Sequence, residues 1–147
     1  MEKKRILVLG VGNILMSDEG AGVYTVRKLE EKYRFSDNVT LLDGGTLGMK
    51  LLHLISCADH LIVADTAIRG LTPGTVSRLS TNDIRLRTSS KNSMHQLSFS
   101  ETLALAEMMQ ILPETVIMVL LKEPEKLLLR IPKWVRELCL MVPITWK

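Results

Sequence analysis

The chain has 147 residues, 46% of them hydrophobic and 24% charged, which is material for one core and too little for two ordinary domains. Nineteen Lys and Arg against sixteen Asp and Glu leave a formal charge of +3, the basic residues are scattered, and aromatics make up 4%. Neither a basic stripe nor a stacking platform for single strands can be built from this, so no nucleic-acid partner is expected. No stretch reaches membrane-spanning length, and the apolar run behind Met1–Arg5 is too short for a signal peptide, so we expect one cytoplasmic domain over residues 1–147 with no membrane partner.

In chain order, Arg5 to Leu9 is a short apolar run bounded by Gly10, the pattern of a strand buried on both faces. Gly22, Val26, Leu29 and Tyr33 then share one helical face, with Ser17 as the N-cap and Asp18 and Glu19 as first-turn acids. Val39 to Leu42 reads as a second strand. Met49, Leu52 and Leu54 to Ile55 suggest a second helix, and Leu61 to Ala64 a third strand. Thr75 to Ser80 alternates apolar and polar residues as an additional edge strand does. Thr81 to Met94 is polar and reads as a mobile surface loop. Leu105, Met109 and Leu112 suggest a third helix, Val116 to Leu121 a further strand, and Lys133 to Met141 a final helix that opens at Pro132 and is ended by Pro143. Strand and helix alternate, which implies an α/β fold: a central, mainly parallel sheet with helices on both faces. Cys57 and Cys139 each lie among apolar residues and read as buried free thiols.

In such sheets ligands bind beyond the carboxyl ends of the strands. The polar residues there by spacing are Asn13, Asp18 and Glu19 after the first strand, Asp43 after the second, Asp65 after the third, and His95 before the third helix. Gly10 and Gly12 suggest a dinucleotide fingerprint, but its third glycine position is Leu15, so glycines permitting a tight turn are the simpler account. Asp18 and Glu19 can equally be dipole-favoured first-turn acids. At that place a carboxylate is stabilised as the anion, a ready metal ligand and a poor proton donor. Asp65 emerges abruptly from a buried strand, either as a turn residue or as a functional carboxylate. Asp43 precedes Gly44 and Gly45, so a turn is the safer reading; as chemistry it would orient water or substrate. Ser93 and Gln96 have capping-box spacing that puts His95 in a first helical turn, where a neutral imidazole is favoured, so it reads either as a nitrogen donor or as a plain surface histidine. His53 and His60 read as structural.

Glu19, Asp65 and His95 together can offer two oxygens and one nitrogen to one ion from three loops, leaving open positions for water or substrate. Nickel, zinc and other borderline divalent ions all suit such a set. No Ser, Cys and His set at loop positions suggests an acyl-enzyme route.

The runs Ile6 to Leu15 with Asp18-Glu19, Leu42-Asp43-Gly44-Gly45-Thr46 with Gly48-Met49, Leu61 to Asp65, and His95-Gln96-Leu97, in this order, closely resemble the nickel-iron hydrogenase maturation endopeptidases. The resemblance covers about the first three quarters of the chain. It implies an α/β fold, metal ligands at Glu19, Asp65 and His95, and a hydrolase, often classed as aspartic-type, with Asp65 and Glu19 at the reacting centre. Asn13, Asp18 and Asp43 would contact substrate or the ligands. The implied substrate is the precursor of a nickel-iron hydrogenase large subunit, activated by removal of its C-terminal extension once nickel is in place; nickel would be recognised in that substrate. Metal-assisted hydrolysis is the favoured route, with Asp65 as general base the other. A non-catalytic homologue that binds the precursor, or a nucleotide-binding α/β module, are the rival readings. The last quarter departs from the pattern, since Glu123-Pro124 lacks a preceding glycine.

Overall fold

The computed structural model describes residues 2–15, 20–66, 76–83, 98–121 and 144–146. β1 (Ile6–Val11), β3 (Val39–Gly45), β4 (His60–Thr66) and β6 (Thr115–Leu121) are parallel, and β5 (Val76–Leu79) joins the edge of β6 antiparallel, giving the order β3-β1-β4-β6-β5. The mainly parallel α/β sheet and the additional edge strand are thus both observed.

Alternation along each strand divides the core in two. Ile6, Val8, Ile62, Ala64, Ile117 and Val119 pack with Val26 and Leu29 of α1 (Ala21–Lys32). Leu7, Leu9, Leu61, Val63, Val116 and Met118 pack on the other face against Leu51, Ile55 of α2 (Leu52–Ser56), and Phe99, Leu103 and Ala106 of α3 (Ser98–Met108). Strands coated on both faces are why each reads as a continuous apolar run.

Several boundaries differ from expectation. α1 stops at Lys32, and Tyr33, although buried, opens β2 (Tyr33–Phe35), which pairs antiparallel with β7 (Ile144–Trp146) in a separate ribbon. The N-cap of α1 is Gly20, with no side-chain cap, rather than Ser17: a Cβ at Gly20 would lie 2.9 Å from the Tyr24 ring and 3.0 Å from the Ile14 Cα. Gly48–Leu51 is a 3-10 turn entered through Gly48 at φ +51°, so the periodicity is re-phased: Leu51 is buried and Met49 is 64% exposed. The buried stripe of α3 runs through Phe99, Leu103 and Ala106, so the expected face of Leu105 and Met109 is turned away and Met109 is exposed; the helix closes where Gln110 adopts φ +58° and Ile111 N–H reaches back to the Ala106 carbonyl. Cys57, just past α2, is exposed, not buried. The start of the expected mobile loop is fastened: Thr81 Oγ1 accepts the Val116 N–H and donates to the Val116 carbonyl, and Asp83 accepts from Ser80 N–H and Oγ. Its remainder, the expected Lys133 to Met141 helix and Cys139 lie outside the described residues.

Candidate active site

The connection from β1 passes over one face to β3, whereas the chain leaving β4 goes the other way, to β5 and β6. A crevice is therefore expected between the carboxyl ends of β1 and β4. α1 begins there. Its first turn is drawn onto the strand ends by Gly22, where a Cβ would overlap the main-chain carbonyls of Ala64 and Val11, and by Gly10, where one would overlap the Gly22 carbonyl and come within 2.8 Å of Val26. Gly10 thus serves close packing, while Gly12, at φ +134°, makes the expected turn. With Gly10 occupied by the helix and residues 12–20 intervening before α1, the glycine pair does not form a cradle at a helix start.

Asp65 is the next-to-last residue of β4, half-buried, opposite Leu120 and one step beyond Ala64. It is the sequence-expected ligand whose placement at this edge is described; Glu19, Asp18 and His95 lie outside the described residues. Asn13 spends its side chain locally, with Oδ1 accepting the Leu15 N–H at 3.0 Å. His53 is exposed on α2, and His60 begins β4 at the far end of the sheet from Asp65.

Asp43 pairs in register with Gly10, two strand spacings, about 10 Å, from β4. Its parity puts it on the α1 face, and that of Asp65 on the opposite face. Arg27 of α1 donates Nε and Nη2 to Asp43 Oδ2 at 3.1 and 2.8 Å, while Asp43 Oδ1 accepts the Gly45 N–H at 3.1 Å. Both oxygens of Asp43 are therefore engaged, as the turn reading foresaw, and the sheet does not bring the two aspartates together. Sequence reasoning missed Arg27. Its only signal was a cation on the outer side of a helix that packs on the Asp43 strand. Register then steps from Gly10–Asp43 to Val11–Gly45, leaving Gly44 as an extra residue whose Cβ would press on the Leu9 side chain at 2.8 Å. Gly45 carbonyl accepts the Gly12 N–H at 2.9 Å, which joins the turns after β1 and β3.

A sequence model described as hydrogenase maturation protease matches residues 23–129. The hydrogenase expression/formation protein HupD of Rhizobium leguminosarum is 44% identical over 116 residues, 78% of this chain and 57% of that protein. The hydrogenase 2 maturation protease of Escherichia coli is 46% identical over 101 residues, 68% of this chain and 62% of that protein. The chain thus spans about three fifths of the length of these curated relatives. Among solved structures, the hydrogenase maturating endopeptidase HybD from E. coli superposes with a TM-score of 0.82 at 34% identity, over 97% of this chain and 98% of that one. With a family match over well more than half its length, on a sheet whose carboxyl edge carries Asp65 beside the start of α1, the chain belongs to the hydrogenase maturation protease family.

Proposed function

We propose that this protein is an endopeptidase that removes the C-terminal extension of a nickel-iron hydrogenase large-subunit precursor after nickel insertion. The observation that carries the reading is family membership together with a carboxylate, Asp65, at the sheet's crevice. Glu19, Asp65 and His95 would complete the coordination of the substrate's nickel. Two carboxylates and an imidazole suit a borderline divalent ion, and three donors leave room for substrate. The ion would supply Lewis-acid polarisation of the scissile carbonyl. Asp65, at the end of a buried strand, holds one side of the crevice, and Glu19, which precedes α1 in the sequence, would act with it. Docking through the cofactor would orient the peptide and replace a long recognition sequence. No described helix is long and apolar enough to cross a membrane, and we place the reaction in the cytoplasm.

The test is to mix the protein with nickel-loaded and nickel-free precursor and follow mobility on a denaturing gel. The loaded precursor should shift and the nickel-free one, kept under chelator, should not. Binding without a shift would make the chain a checking protein, and cutting of the nickel-free precursor would make it an ordinary peptidase.

A further inference from the structure

Four hydrogen bonds run in series from the outside of α1 to the turn that follows β1. Arg27 Nε and Nη2 hold Asp43 Oδ2 at 3.1 and 2.8 Å; Asp43 Oδ1 accepts the Gly45 N–H at 3.1 Å; Gly45 carbonyl accepts the Gly12 N–H at 2.9 Å. The two ends of one carboxylate thus tie different elements, a helix and a turn. The pair is 50% and 38% exposed, so its Coulombic attraction alone contributes little. Its geometry matters more. Two donors on a single oxygen fix the carboxylate plane, which fixes the direction in which Oδ1 meets the turn. The residues at the far end need such a restraint, because Gly45 at φ +49° and Gly12 at φ +134° sit where glycine has many alternatives and no side chain to anchor it. Gly44, the inserted residue, packs against Leu9 and Leu51, and its carbonyl accepts the Leu47 N–H at 3.1 Å.

We infer that Arg27 is a positioning residue for the turn at Gly12 that follows β1, acting through Asp43 and the Gly45–Gly12 link. Asp43 is then no ligand or base but the middle of a brace, and what it steadies is the turn at Gly12, which follows the strand paired with the one that carries Asp65. The catalytic consequence rests on the peptidase reading; the brace itself does not.

Amide hydrogen exchange by NMR on the full chain, with cleavage kinetics on the nickel-loaded precursor, tests it. Arg27→Ala should speed exchange at Gly45 and Gly12 by about tenfold, the loss of one charge-assisted bond, while Val8 and Leu9 stay as protected as before. Cleavage should lose kcat by a similar factor with KM unchanged. Asp43→Asn should behave alike, the double variant should be no worse than either single one, and Arg27→Lys, which keeps the charge and loses the fork, should recover only part. Wild-type exchange at Gly12 and Gly45 in Arg27→Ala overturns the brace, as do additive effects in the double variant. Should the wild type itself fail to cut, the peptidase reading falls, and the exchange rates still decide on Arg27.

Discussion

Gly22, on the first turn of α1, lies so close to the main-chain carbonyl of Ala64 in β4 that no side chain fits between them. Helix propensity alone would favour alanine at this position by about 1 kcal/mol. The overlap falls on backbone, which cannot turn aside, and overpacking of this kind costs about 1–3 kcal/mol. Gly22→Ala should therefore be net destabilised, with α1 displaced from the strand ends. Urea unfolding midpoints decide the matter; a midpoint at or above that of the wild type would mean that the helix start gives way freely.

Asp65→Asn keeps the shape of the side chain and removes its charge at the strand end. Cleavage of the nickel-loaded precursor should fall by at least about a hundredfold, the scale of a lost acid-base or ligand group, while circular dichroism stays that of the wild type. Full activity in this variant would move the reacting centre elsewhere on the sheet edge.

At the opposite end of the sheet, Asp59 Oδ2 accepts the Arg5 backbone N–H at 2.7 Å and Arg5 Nε at 3.4 Å, and the backbone bond above all holds this carboxyl below its ordinary value. A carboxyl depressed in the folded state contributes stability above its unfolded pKa, and the contribution is lost as pH falls through the folded value. Asp59→Asn should lower Tm at pH 7, by an amount that stays constant down to about pH 5 and shrinks below about pH 4. A difference that grows on acidification would contradict the assignment.

Cys57 is free and exposed beyond α2, and Ser56 Oγ is its 4.0 Å neighbour. Alkylation of the native protein followed by peptide mass spectrometry should label it within minutes, and Cys57→Ser should leave Tm unchanged. Protection until denaturant is added would restore the buried thiol that its apolar neighbours suggested.

The contrast at Cys57 shows what was legible in the sequence and what was not. Strands such as Leu61 to Ala64, coated on both faces, announce themselves as apolar runs, and their alternation with helical stripes is enough for the α/β order and the crevice beyond Asp65. Phase within short helices is another matter. A single glycine at positive φ, Gly48, re-phased the second helix and turned Met49 outward. In α3 the core stripe is Phe99, Leu103 and Ala106 rather than Leu105 and Met109, and Met109 is exposed. Long-range pairings left no local mark either. Neither the bond from Arg27 to Asp43 nor the pairing of Tyr33 with Trp146 follows from neighbours along the chain, and the first of these changes the role given to Asp43. Glu19 and His95 as ligands rest on the family resemblance and on the donor chemistry.

The ribbon of β2 and β7 has a consequence for how the molecule assembles. It joins residues 33–35 to residues 144–146, so its ends meet only after nearly the whole intervening chain has been brought into place. Closing a loop of that size costs entropy before any contact repays it, and two short strands repay little on their own. Helix α1 and its parallel neighbours can form on local contacts; the ribbon has to wait, and should form last and open first. In native-state exchange the Arg34 and Phe35 amides should thus trade their protons long before those of Val8 or Val63.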